Sequence, residues 1–131
     1  MSYQIDGKGN SIIHDEHVSY DAAVKEDEFM KTIIDLAHLK KYHVAHFRTV
    51  RVQRKNGEVF YATPVQADGA GWVDLVLAKK GRLIFAEIKS KKGVMSPAQT
   101  AWKVLLESTG QGEYYCWRPD DWDDIVLVLS R

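Results

Sequence analysis

Glu87 and Lys89 stand two residues apart in RLIFAEIKSKKG, Arg82 to Gly93, a stretch that otherwise reads as an apolar β-strand. Side chains alternate along a strand, so Leu83, Phe85, Glu87 and Lys89 share one face, and Ile84, Ala86 and Ile88 the other. The preceding GWVDLVLAKKG supplies a partner strand. If Lys80-Gly81 is a two-residue turn, Lys79 faces Arg82, Ala78 faces Leu83 and Asp74 faces Glu87. An added bulge would shift that register. Directly opposed residues in an antiparallel pair bring their Cβ atoms to about 4.5–5.5 Å, where like charges are unfavourable. A divalent cation compensates for such a pair, because Mg²⁺ prefers one or two carboxylates with waters and phosphate oxygens completing its octahedron. Lys89, one pleat further on, would reach the same spot, where an ammonium holds or activates a water or stabilises charge developing on a phosphorane. The competing reading is an ion-pair network of Asp74, Glu87 and Lys89 at a sheet edge, with no chemistry attached.

Other elements must position these residues. From Asp21 to about Lys41 the pattern is helical, with Phe29, Met30, Ile33, Ile34, Ala37 and the stem of Lys41 on one stripe and Asp21 as N-cap. Glu26 begins that stripe and would look toward the sheet, whereas Glu28 shares a face with Thr32, Asp35 and Leu39. Either acid also suits the helix dipole. A second helix, SPAQTAWKVLLESTG, has Ser96 as N-cap, Pro97 at N1 and Gly110 past its end. Gln99 sits at N3, where a capping box with Ser96 accounts for it; the same helix start lies close to the end of the Glu87/Lys89 strand.

HVAHFRTVRVQRKNGEVFYATPVQ reads as a hairpin about Asn56-Gly57, the pair favoured for a type I′ turn. EYYCWRP is a last strand. DDWDDIVLVLSR opens with aspartates suited to a helix N-terminus, although IVLVL alone fits a strand equally well. A helix, strands, a helix and a further strand imply an α/β or α+β layer built on one mixed sheet.

The 131 residues, 45% hydrophobic and 27% charged, suit a single domain with its own core. Met1 to Ser19 is polar and without periodicity, so residues 1–20 read as a loose arm and 21–131 as the domain. His14 and His17, in HDEH, are either solvated or a metal-binding pair. No apolar run of membrane-spanning length and no signal-peptide pattern occur, which leads to the expectation of a soluble, cytoplasmic protein with no membrane partner. The lone Cys116 excludes an internal disulfide and a CxxC metal site, and reads as a packed, reduced thiol. Net charge is zero, yet Lys40 to Lys92 holds twelve basic residues against four acidic ones. That asymmetry fits a basic binding face or a solvated surface of mixed sign.

Taken together, GWVDLVL, RLIFAEIKSKKG, SPAQTAW and YYCWRPDDW resemble the VRR-NUC nucleases, a branch of the PD-(D/E)xK, restriction-endonuclease-like superfamily. The likeness runs from about Lys25 to the C-terminus. It implies an α/β fold with an αβββαβ core, a central mixed sheet flanked by helices, here with an extended first hairpin. It also implies a Mg²⁺ site that accepts Mn²⁺, and phosphodiester hydrolysis. By this resemblance Asp74, Glu87, Lys89 and Gln99 are catalytic, and Glu26, Asp74 and Glu87 hold the metal. His46, in VAHFR, is similar to a histidine found after the first strand of many such nucleases. His46, Arg48 and Arg51 would contact the substrate, with Arg54 and Lys55 available to the phosphate backbone. Small stand-alone relatives act on branched DNA such as Holliday junctions, in repair or recombination, often as homodimers, so DNA and a second copy are the implied partners. The chain departs from the pattern at Val73, where the family commonly has a proline ahead of the aspartate. Proline there is a turn device and not a ligand.

Overall fold

The computed structural model describes residues 16–47, 50–62 and 65–131. In chain order the elements are α1 (Glu16–Leu39), β1 (His43–His46), β2 (Val50–Gln53), β3 (Val59–Ala62), β4 (Leu75–Lys79), β5 (Arg82–Ile88), α2 (Pro97–Ser108), β6 (Glu113–Trp117), a 3₁₀ turn (Pro119–Asp121) and α3 (Trp122–Ser130). The architecture is α/β, with a four-stranded mixed sheet in the order β1-β4-β5-β6 and a separate two-stranded ribbon, β2-β3. Strand β4 runs antiparallel to both β1 and β5; β6 runs parallel to β5 after the crossover through α2. No described helix is long and apolar enough to cross a membrane.

The β4-β5 hairpin has the expected register. Lys79 pairs with Arg82, Ala78 with Leu83 and Leu75 with Ala86, across a two-residue turn in which Gly81 takes φ +83. Its two faces then go to different partners. Leu75, Leu77, Ile84, Ala86 and Ile88 are buried in one core with Ile33 and Ala37 of α1, Trp117, and Ile125, Val128 and Leu129 of α3. Each such aliphatic side chain removed from water contributes roughly 1.5–3 kcal/mol. The tail is thus a helix and not a strand: in IVLVL the buried positions are Ile125, Val128 and Leu129, a spacing of three and four.

The opposite face carries Phe85 and an aromatic group. Trp72 meets Phe47, Phe85 and Trp102 edge to face, with centroids 5.9, 5.9 and 4.9 Å away. The first strand and its loop are thereby joined to α2 across this face.

Four local expectations are corrected. Helix α1 begins at Glu16, so Asp21 lies inside it and not at its cap, and the boundary between arm and domain falls within a helix. No glycine or proline stands between Glu16 and Asp21 to stop it. At its other end the helix stops at Leu39: Lys41, with φ +73, sits outside the stripe and forms a Schellman cap, its N–H bonding His38 O while Tyr42 N–H bonds Ala37 O. The first hairpin is shorter than expected, because His43–His46 leaves it to pair with β4. Its turn is not type I′, which would need a positive φ at Asn56. Arg54 and Gly57 close a tight turn, Gly57 alone takes φ +89, and Arg54 N–H bonds Glu58 O, a three-residue loop with a glycine bulge. Residues 1–15 and Arg48, with His14 of the HDEH stretch, lie outside the described residues.

A lysine in the left-handed region is held there by the cap at an intrinsic cost of about 1 kcal/mol. Lys41→Gly is therefore expected to raise unfolding stability by about 0.5–1 kcal/mol in urea titration. A loss of stability would mean that the Lys41 side chain contributes a contact of its own.

Candidate functional site

Asp74 directly precedes β4, and its neighbours Val73 and Leu75 are fully buried. Extending the hairpin pairing by one residue sets it across from Glu87, on the face away from α1. Two backbone bonds fix its place: Phe47 N–H donates to its carbonyl at 2.9 Å, and Ile88 N–H donates to its Oδ2 at 2.8 Å. The carboxylate is thus oriented by the strand beside it. Val73, where the family pattern has proline, is simply a core residue.

Glu87 and Lys89 are 0% and 1% exposed, an unusual degree of burial for ionisable side chains. Lys89 Nζ lies 3.7 Å from Glu87 Oε1, and Gln99 fills the gap. Its Nε2 donates to Glu87 Oε1 at 3.0 Å, while its Oε1 accepts from Lys89 Nζ at 2.8 Å. The same Oε1 accepts from the Ser96 N–H at 2.8 Å, and Ser96 Oγ accepts from the Gln99 N–H at 3.2 Å. Cap and site residue are therefore one: a single carboxamide closes the capping box of α2 and bridges the lysine to the glutamate.

Glu87 Oε2 is buried and has no hydrogen-bond donor among the described residues. Its neighbour across the hairpin is another carboxylate, which also can only accept when ionised. Burial, and then the charge of Asp74, push the Glu87 carboxyl up to about 8, against a smaller opposing pull from Lys89. A proton shared between the two acids relieves this repulsion. So does a divalent cation, and the donor set, hard carboxylate oxygens with one unsatisfied, suits Mg²⁺ or Mn²⁺.

The other expected residues are placed less uniformly. Glu26 is half-buried, its Oε1 is sealed with no partner among the described residues, and Glu28 is exposed, so Glu26 is the inward acid of the two. Among the described residues, however, no three His, Cys, Asp or Glu side chains form a group able to hold a metal ion. The reason lies in the layers. Helix α1 packs on the Leu75 and Ile84 face, whereas Asp74 and Glu87 point to the other. His46 pairs with Leu75 and shares its face, exposed, so Phe47 occupies the corresponding place on the Glu87 side. Arg51 is exposed on the ribbon, across from Tyr61.

Three supports are not evident from motif spacing alone. Gly71 takes φ +82, and a Cβ there would lie 2.4 Å from the Ala98 carbonyl carbon and 2.6 Å from Gln99 N, so only glycine lets this loop meet the start of α2. Trp102 Nε1 donates to Ala70 O at 3.0 Å and Asp68 O at 3.2 Å, tying the same loop to the same helix. Arg118 Nη1 donates to Ser90 O and Gly93 O at 2.7 and 2.6 Å, which fixes the loop leaving Lys89. The glycine pair in DGAGW and the arginine of WRP were the available signals. Cys116 is half-buried and pairs with Glu87 in the parallel register; burial raises its thiol, keeping it neutral.

Compared with known protein families, with curated proteins and with solved structures, the chain matches none.

The Glu87 carboxyl gives a pH signature of known sign. Its folded value lies above the unfolded one, so the folded state holds the extra proton and stability falls as pH rises from about 4.5 to about 8. In chelator-treated protein, Glu87→Gln is expected to flatten that part of the melting-temperature profile. An unchanged slope would show that Glu87 does not carry the shared proton.

Proposed function

We propose that this chain is a divalent-metal-dependent DNA endonuclease with a restriction-endonuclease-like core of the VRR-NUC kind. The observation that carries the reading is the meeting of Asp74 and Glu87 on one sheet face, with a sealed Glu87 oxygen lacking a donor and Lys89 held alongside by Gln99. The order of elements supports it too: helix, antiparallel strands, crossover helix and parallel strand place the ExK residues beside the start of α2.

Asp74 and Glu87 would hold the metal; Glu26, on the helix that covers the opposite sheet face, is not counted among its ligands. A bound divalent ion supplies Lewis-acid polarisation of the phosphodiester and a lowered pKa for water. Lys89 lies beside Glu87 and is aimed by Gln99, so that it would hold the attacking water or steady charge developing on phosphorus. Gln99 orients the pair and is itself held by the cap of α2. Exposed Arg51, Arg54 and Lys55 on the ribbon, with Lys91 and Lys92 after β5, would take the phosphate backbone. Branched DNA is the substrate class this reading favours.

A second reading, a non-catalytic nucleic-acid-binding module with the same fold, is favoured by one observation. Glu87 and Lys89 have almost no solvent exposure, and a scissile phosphate has to reach them.

Cleavage of four-way, flap, duplex and single-stranded DNA in Mg²⁺ and in Mn²⁺ separates the two. The nuclease reading expects metal-dependent cleavage by wild type, with Glu87→Gln and Lys89→Ala each slower by on the order of a hundredfold or more. Salt-dependent binding without turnover would favour the module, and equal cleavage by wild type and Glu87→Gln would remove this site from the chemistry.

A further inference from the structure

Strand β6 is an open edge of the four-stranded sheet, and its backbone shows which groups are left over. In a parallel ladder each residue turns both its N–H and its C=O to one side, and the next residue turns them to the other. Trp117 O accepts from the Lys89 N–H at 2.9 Å and Ile88 pairs with Trp117, so Trp117, Tyr115 and Glu113 are the residues bonded to β5. Tyr114 and Cys116 therefore point their N–H and C=O groups outward, where no described residue bonds them. Edges of this kind are ordinarily blunted by lysine, proline or a bulge. EYYCW has none of these: its pairing with β5 is unbroken, and its one charge, on Glu113, is taken by Arg82 at 2.6 Å.

A cleft of about 330 Å³ lies beside this edge, lined by Tyr115 and Trp117 of β6 and by Asp124, Leu127, Val128 and Arg131 of α3. The four helix positions are spaced by three, one and three, so a single side of α3 forms it. The two rings are stacked, with centroids 5.3 Å apart and planes at 16°, and Leu127 is 63% exposed. One end of the cleft is acidic. Asp121 also borders it, and PDDWDD holds four aspartates and no base. Asp121 is occupied by the Arg118 N–H at 2.8 Å, whereas Asp124 has no partner among the described residues. Aspartates there also suit the start of α3, so the open edge carries the contact and the acids only select what binds it.

We propose that β6 is a docking edge for an extended peptide of a partner protein, which adds a strand beside Tyr114 and Cys116 and places a lysine or arginine side chain in the cleft. In strand addition, main-chain bonds supply affinity and alternate side chains supply the choice of sequence. The cleft is at the lower end of the roughly 300–1,000 Å³ of small-ligand sites, room for a side chain or two. An aliphatic stem would lie along Tyr115 and Leu127 while its charged head reaches Asp124. A second β6 does not supply that side chain. Trp117 is buried in its own core, Tyr115 packs against that core, and Glu113 is held by Arg82. Nucleic-acid phosphates are repelled by the four aspartates. Tyr115 and Trp117 pair with Ala86 and Ile88, so the cleft lies on the sheet face away from Glu87 and the inference does not rest on the nuclease reading.

The probe is the fluorescein-labelled, amidated peptide VKVKVKV, read by fluorescence anisotropy and by residue-specific amide exchange in NMR. In free protein the Tyr115 and Trp117 amides are expected to be protected, and those of Tyr114 and Cys116 to exchange at least about a hundredfold faster. Saturating peptide should slow Tyr114 and Cys116 by about tenfold or more. N-methylation of the interior amides of the peptide, or glutamate in place of its lysines, should each weaken binding at least about tenfold. Asp124→Asn, at an exposed position and with an unchanged circular-dichroism melt, should narrow the preference for lysine over glutamate about threefold. Absence of binding at about 1 mM peptide, or equal binding of the N-methylated form, would overturn the docking edge. An unchanged preference in Asp124→Asn would remove the cleft from recognition. Protection of Tyr114 and Cys116 that rises with protein concentration would assign the edge to a second copy, and protection by duplex DNA in place of peptide would assign it to nucleic acid; either result would overturn the peptide.

Discussion

Two acidic side chains set against each other inside a sheet are the constraint that the rest of this structure answers to. The β4-β5 register places Asp74 across from Glu87, and neither can move without shifting the strands that bury Leu75, Leu77, Ile84 and Ala86. Ionised and unrelieved, two such groups destabilise the fold that creates them. Relief comes in part from the Ile88 N–H on Asp74 and from the Gln99 amide and Lys89 on Glu87 Oε1. It stops short of Glu87 Oε2. Local repulsion retained at a sheet face, with one lone pair left over, is the pattern expected where function and stability compete.

Placement of α2 follows from the same need. Its first turn must come close enough for one carboxamide to touch Glu87, Lys89 and the Ser96 N–H together. Gly71 permits that approach by having no side chain, and Trp102 holds it with its indole N–H. The aromatic group around Trp72 then joins β1, β5 and α2 beneath the site. The inner side of α2 gives Gln99 to the polar bridge and Trp102 to the aromatic group, while Val104 and Leu105 stay exposed on its outer side. An exposed stripe and a buried polar cluster are two sides of one short helix.

Much of this was legible in the residues. Alternation in RLIFAEIK and the Lys80-Gly81 turn determined which side chains share a face, since a strand period of two leaves only one register once the turn is known. Ser96, Pro97 and Gln99 marked the start of α2 because capping is local chemistry. What could not be read depends on tertiary choices. Nothing in HVAHFRTVRVQ tells that His43–His46 joins β4 and the remainder forms a ribbon, nor that Phe47 and not His46 lies on the Glu87 side. Lys41 in a left-handed cap and a glycine bulge at Gly57 are likewise outcomes of what the neighbouring elements require. The reach of Glu26 depends on which sheet face α1 covers, and the heptad-like stripe gives orientation without giving that distance.

The central claim is that Asp74 and Glu87 together form a divalent-cation site, and direct Mn²⁺ binding tests it without reference to any substrate. Titration followed by electron paramagnetic resonance of free Mn²⁺ should show saturable binding to wild type. It should be strongly weakened by Glu87→Gln and by Asp74→Asn, with both variants folded. Mn²⁺ binding that is absent from wild type, or equal in wild type and both variants, would contradict the account and leave the two carboxylates as a shared-proton pair within the sheet.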